Sequence, residues 1–376
     1  MKNEGMERLG KDELSAKDSY YINVMRGLSI LRVVLVHLGL SWFYPPYSQY
    51  IGIFLPVLFF VSGAVSYYSF LRAQSVGEYL VKRLVLVLVP FYVFAALVLL
   101  ITVVFYPERF PSGIGVVSWL LVWPNFSDVF FPLNQVWFIN CLVVMILISG
   151  PIFFITKKRP WLLWGVIIFS LVVSLLNVPF PLYAAVSEYS FFSRLRWGHQ
   201  AWQVLVLLGL FICGSVHYRY LAGQSAKKYA LISIVFLIFA LMGYFYSDLG
   251  FELKEHAKQR SLYYLFLSFF AIYFLLALER PILRILARMR SLEWLLLYTN
   301  RYAYSVYLSH TLVLFYVEQW LGLTDLGGQP FLALVRMFLV LVITLAVAKP
   351  LGDLSRTLAH TVRAKLLNGI IGGVRT

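Results

Sequence analysis

The sequence predicts an all-α polytopic membrane protein, a single bundle of about ten transmembrane helices with both termini cytoplasmic. Three observations carry this. Of the 376 residues, 61% are hydrophobic and only 13% charged, with a mean hydropathy of +0.79, unlike a soluble globule. Apolar runs near the length that crosses hydrocarbon as a helix recur along the chain. The basic residues are also unevenly shared. Segments on the N-terminal side of the membrane hold Lys2, Arg8, Lys82, Arg83, Lys157 and Arg284, among many others, whereas the opposite segments hold only Arg109, Arg194, Arg196, Lys254, Lys258 and Arg260. That asymmetry is the positive-inside rule. The net charge of +15 is therefore directed at anionic membrane lipids, and nucleic acid is excluded as a partner.

The expected spans run, in order, over 21–42, 49–71, 84–106, 135–156, 161–178, 202–221, 229–247, 261–279, 301–321 and 331–354. Residues 1–20 form a polar cytoplasmic N-terminal segment. They lack a small-residue cleavage site after a short apolar core, so the first span is expected to be retained. Residues 21–354 make up the transmembrane domain, and 355–376 a basic cytoplasmic tail. Most connections are short. Three external ones, 107–134, 179–201 and 248–260, are read either as walls of an acceptor site or as packing without chemistry. The stretch Gly113 to Trp123 is too short to span and lies in the interface or re-enters. Arg280, Arg284 and Arg288, spaced four apart, make a basic stripe on a cytoplasmic amphipathic helix. Cys141 and Cys213 fall on different spans with no metal-ligand spacing and read as small buried hydrophobes.

The first span carries the chemistry. Hydrocarbon penalises ionisable groups, so those retained at membrane depth face a bundle interior or an aqueous cavity. Arg26 and His37 are eleven residues apart, about 16 Å along a helix and within roughly 20° of one face. A neutral imidazole serves as general base or acid, and a guanidinium suits phosphate or carboxylate. Arg32 is rotated roughly 120° from Arg26 and is expected to pair with a neighbouring helix or to snorkel. In the second span, Ser62-Gly63 lets helices approach closely. Lys82 and Arg83 precede Pro90 in the third. Trp137 opens the fourth, either as part of an aromatic belt or as a face that stacks a sugar. In the ninth, Tyr307 and His310 share a helix face and fit either a polar cavity or a structural hydrogen-bond cluster. Glu318 and Arg336 are placed to form an ion pair.

In order along the chain, Arg26-x10-His37, Phe59-Phe-Val-Ser-Gly63, Lys82-Arg83 ahead of Pro90, Gln135-Val-Trp-Phe138 and Tyr304-Ser-Val-Tyr-Leu-Ser-His310 resemble the acyltransferase 3 family of multi-pass membrane proteins. Asn23 stands where that family usually has Asp, and Leu86 and Val87 where it usually has a second Arg. The resemblance implies a cell-membrane O-acyltransferase with acyl-coenzyme A, most simply acetyl-CoA, as donor substrate and no permanently bound cofactor. The acceptor it implies is a hydroxyl of a cell-envelope glycan or lipid-linked sugar. It further implies His37 and Arg26 as catalytic residues, and Arg26, Lys82 and Arg83 as the group that meets the donor's phosphates. Trp137, Tyr307 and His310 would line the acceptor side. The rival class is a transporter or flippase for an anionic or glycan substrate, which intramembrane Arg and His also fit. Against it, no paired inverted repeat or duplicated broken helix is evident in the sequence.

Overall fold

The computed structural model describes residues 14–39, 50, 55–110, 113–122, 136–176, 197–247, 250, 252–323 and 329–372. Gln135, Glu188, Arg194 and Arg196 lie outside these, and the side chain of His199 is not among those described. Every expected span coincides with a helix: α1 (Ala16–His37), α2 (Leu55–Leu71), α3 (Val76–Phe105), α5 (Val136–Thr156), α6 (Leu162–Leu176), α7 (Trp197–Val216), α8 (Ala226–Phe245), α10 (Leu262–Ala277), α13 (Ala303–Leu321) and α14 (Pro330–Gly372). Shorter helices lie between them: α4 (Gly113–Leu120), α9 (Leu253–Gln259), α11 (Glu279–Arg288) and α12 (Arg290–Arg301). Six of the described helices are long and apolar enough to cross a membrane, or seven if α10 and α11, bent by 58° at their junction, form one span. The chain is thus an all-helical integral membrane protein.

Local sequence sets the helix ends. Ser15 accepts from the Asp18 amide at 3.0 Å and Ser75 from the Glu78 amide at 3.1 Å, so α1 and α3 begin with a side-chain cap and an acidic first turn. Gly322, at φ +64°, ends α13 in the left-handed conformation that glycine adopts freely.

Small residues set the packing. A Cβ on Gly63 would overlap the Phe211 carbonyl, and one on Gly214 would overlap the Phe60 carbonyl. α2 and α7 therefore meet backbone to backbone, and Ser215 donates to the Gly63 carbonyl at 3.0 Å; this is the close approach expected of the Ser-Gly step. Leu231, Ile238, Met242 and Phe245 of α8 stay exposed, as side chains that face lipid do.

Beside the bundle, α11 buries Leu286 against Val24, Leu31 and Leu296 and exposes Arg280, Arg284 and Arg288. This is the expected basic amphipathic helix. α12 packs on α1, where Gly27 faces the Leu296 backbone and Tyr20 donates to Glu293 at 2.5 Å. The Tyr20 hydroxyl, with help from Arg290, holds the Glu293 carboxyl below the usual carboxylate range.

α14 is the longest element, with 43 residues. At 1.5 Å per residue it is about twice the thickness of the hydrocarbon core. Its helix runs through Lys349-Pro350 without a break and takes in residues 355–372.

Candidate active site

α1 and α13 run in the same direction and touch at two levels. At the lower level the Arg26 guanidinium lies 5.4 Å from the centre of the Tyr304 ring. At the upper level His37 Nδ1 is 2.7 Å from His310 Nε2, with the rings stacked at 14°. Arg26 and His37 are thus disposed along one seam, as their spacing predicts. The span expected over 21–42 would continue past His37, however. His37 is in fact the last residue of α1, followed by Leu38 and then Gly39 at φ 106°. Its depth is set instead by His310, the eighth residue of α13.

The two imidazoles differ in access. His310 is 0% exposed, whereas His37, at the end of its helix, is the more accessible residue of a part-buried pair. His310 Nδ1 is buried without a hydrogen-bond partner. Tyr307 is buried and packs on both His310 and Phe138, at centroid distances of 6.0 and 5.3 Å. Trp137 follows, with the Arg260 guanidinium 5.3 Å from its ring centre. Tyr307 and His310 therefore back the His37 imidazole from inside, while Trp137 stands one residue removed, under Arg260.

Among the described residues Arg32 has no partner, and it is buried. It is 9% exposed, its Nε has no partner, and it makes no hydrogen bond or ion pair with any described residue. It lies within electrostatic range of both His37 and Tyr264. The helical projection of α1 alone does not show this, because it leaves out what α10 brings to the other side.

Below the histidines, a cavity of about 350 Å³ opens between α1, α2, α3, the α12–α13 junction and α14. Arg26 and Arg83 line it together, with Ser62 and Pro90. Leu86 and Val87 line it too. Lys82 is not in the wall; it is held by Glu78 at 2.5 Å, one turn back on α3. Three arginines missed by sequence reasoning complete the wall: Arg301, Arg356 and Arg363. The signal for two of them was present, since positions 356 and 363 are seven apart and share a helix face, but it required α14 to continue past Pro350. His37 and His310 do not line this cavity; the dyad lies beyond its inner end, along the α1–α13 seam.

The fold and site define a polytopic membrane protein with a basic cavity at one level of a helix pair and a hydrogen-bonded histidine dyad at the next. Residues 19–351 match the acyltransferase domain model, so the chain belongs to the acyltransferase 3 family and is a membrane acyltransferase. Searches of curated proteins and of solved structures returned no match.

Proposed function

We propose that the protein transfers an acyl group, most simply acetyl, from cytoplasmic acyl-CoA to a hydroxyl of a cell-envelope glycan or lipid-linked sugar, with His37 as general base. The observation that carries this reading is the His37–His310 hydrogen bond on the same seam as the Arg26–Tyr304 contact. In the tautomer that carries its proton on Nδ1, His310 offers the Nε2 lone pair to His37 Nδ1–H. That tautomer leaves the lone pair on His37 Nε2 to take a proton, in a part-buried pair whose outer member is His37. His310 is then a positioning residue, in the way a second group orients a catalytic imidazole.

Arg26 and Arg83 hold the donor's diphosphate by charge-assisted bonds, and Lys82 stays with Glu78. The acyl-pantetheine arm runs along the α1–α13 seam. His37 Nε2 removes the acceptor proton, and the hydroxyl oxygen attacks the thioester carbonyl. The carbon–sulfur bond then breaks and CoA leaves as the thiol, taking back the proton from His37. Arg32, a buried cation without a described partner, stabilises the negative charge that develops on the carbonyl oxygen. The acceptor comes to the face where His37 is exposed, near Trp137 and Tyr307.

Mass spectrometry of envelope glycans tests this in cells carrying the intact gene, no gene, or His37→Ala. The expected result is an acyl mass increment present only with the intact protein, the substitution costing on the order of a hundredfold or more. A transporter would change where the glycan is found without changing its mass. Full acylation by a normally inserted His37→Ala protein would remove the base from the mechanism.

A further inference from the structure

Among the described residues the cavity wall contains five guanidinium groups, from Arg26, Arg83, Arg301, Arg356 and Arg363, and no carboxylate; the Asp353 carboxylate, outside the wall, lies 3.4 Å from Arg356. Two polar groups at this wall are buried without partners: Arg83 Nε and Asn300 Oδ1. A site so charged and so little compensated calls for a polyanion.

The family match ends at residue 351, yet α14 continues to Gly372 and supplies Gly352, Ser355, Arg356, Ala359, His360 and Arg363 to the wall. By length, this part of the helix projects beyond the hydrocarbon. It is docked there, not free. A Cβ on Gly352 would overlap the Tyr302 ring, Ser355 and Ala359 are buried, and Arg356 caps Tyr302 at 4.5 Å while donating to the Arg301 carbonyl at 2.6 Å. Positions 352, 356, 359 and 363 share one face. That face carries two arginines about 10 Å apart along the axis, and it lines the same cavity as Arg26 and Arg83.

We propose that the segment of α14 beyond residue 351 is the outer wall of the donor site, where Arg356 and Arg363 bind the 3′-phosphate on the ribose of coenzyme A. Arg26 and Arg83 bind the diphosphate nearer the acyl group. This rests on the acyl-CoA reading above. The same guanidinium–phosphate chemistry would also hold a lipid headgroup, so the test separates the two sources.

The full-length protein in nanodiscs of neutral phosphatidylcholine is titrated calorimetrically with CoA and with 3′-dephospho-CoA. Wild type is expected to bind CoA about tenfold or more tighter, as one charge-assisted contact provides. Arg363→Gln should bring the two affinities together by weakening CoA alone, Arg363→Lys should keep part of the difference, and Arg26→Ala should weaken both ligands alike. Equal affinities in wild type, or a ratio unchanged in both Arg356→Gln and Arg363→Gln, overturn the proposal and leave the donor reading intact. Failure of wild type to bind either ligand overturns both. If the two substitutions alter only attachment to phosphatidylglycerol vesicles and not the CoA ratio, the arginines serve the lipid surface and the proposal is wrong.

Discussion

Replacing His310 is the sharpest perturbation of the proposed site, because its role is defined through another residue. Its ring is 0% exposed and 2.7 Å from His37 Nδ1, so His310→Ala leaves the His37 Nδ1–H without its acceptor and the ring free to turn. Loss of an orienting partner of this kind costs about 10- to 100-fold, or about 1.4–2.7 kcal/mol of transition-state stabilisation. His37→Ala costs about a hundredfold or more. Were the two acting independently, the double substitution would lose the product, about 10³- to 10⁴-fold. Since His310 acts only through His37, the double substitution should be no worse than His37→Ala alone. The assay is transfer of labelled acyl from acyl-CoA in membranes, with thermal unfolding followed in parallel. The loss in His310→Ala should fall on kcat, leave the KM for donor unchanged and be partly restored by His310→Gln, whose amide oxygen can accept. Multiplying losses, or a loss confined to KM, would refute the orienting role.

Arg32→Gln should lower kcat by about 10²- to 10³-fold, as removal of a preorganised charge from the developing oxyanion does, while CoA affinity measured by titration stays unchanged; undiminished turnover would exclude Arg32 from the chemistry. Gly63→Leu should push α2 off the Phe211 backbone and abolish monodisperse, folded protein on size-exclusion in detergent. Gly113→Leu, at a position with open space, serves as the matched control, and equal yields of the two would show that the α2–α7 contact is dispensable.

The helices were legible because each span announces itself locally, through an apolar run closed by charge, and Arg26 and His37 were legible because one helix carries both. What escaped depends on contacts between distant segments. His310 is 273 residues from His37, so its spacing to Tyr307 showed a shared face but not what that face meets. Lys82 and Arg83 are chemically alike in sequence; a carboxylate one turn earlier claims Lys82, and only Arg83 reaches the cavity. Lys349-Pro350 looks like a natural end to the last span. Yet a proline in a membrane-protein helix is tolerated where neighbours satisfy the freed backbone, and α14 runs on to Gly372. The reading of residues 355–376 as a tail therefore hid the arginines of the cavity wall.

The distance between cavity and dyad has a mechanistic consequence. The phosphates of a donor held at Arg26 and Arg83 lie about 16 Å along α1 from His37, and the cavity stops short of the histidines. In the proposed reaction the α1–α13 seam must part around the acyl-pantetheine arm. Parting packed helices costs free energy, and the arginine cavity is where binding can supply it: interactions with remote, unreactive parts of a substrate can drive reorganisation at the reacting centre. The concentration of guanidinium groups at the mouth then has a use beyond affinity. In the proposed reaction it would couple recognition of the nucleotide to opening of the path, so that an unaccompanied acyl thioester, lacking the phosphates, would meet a closed seam.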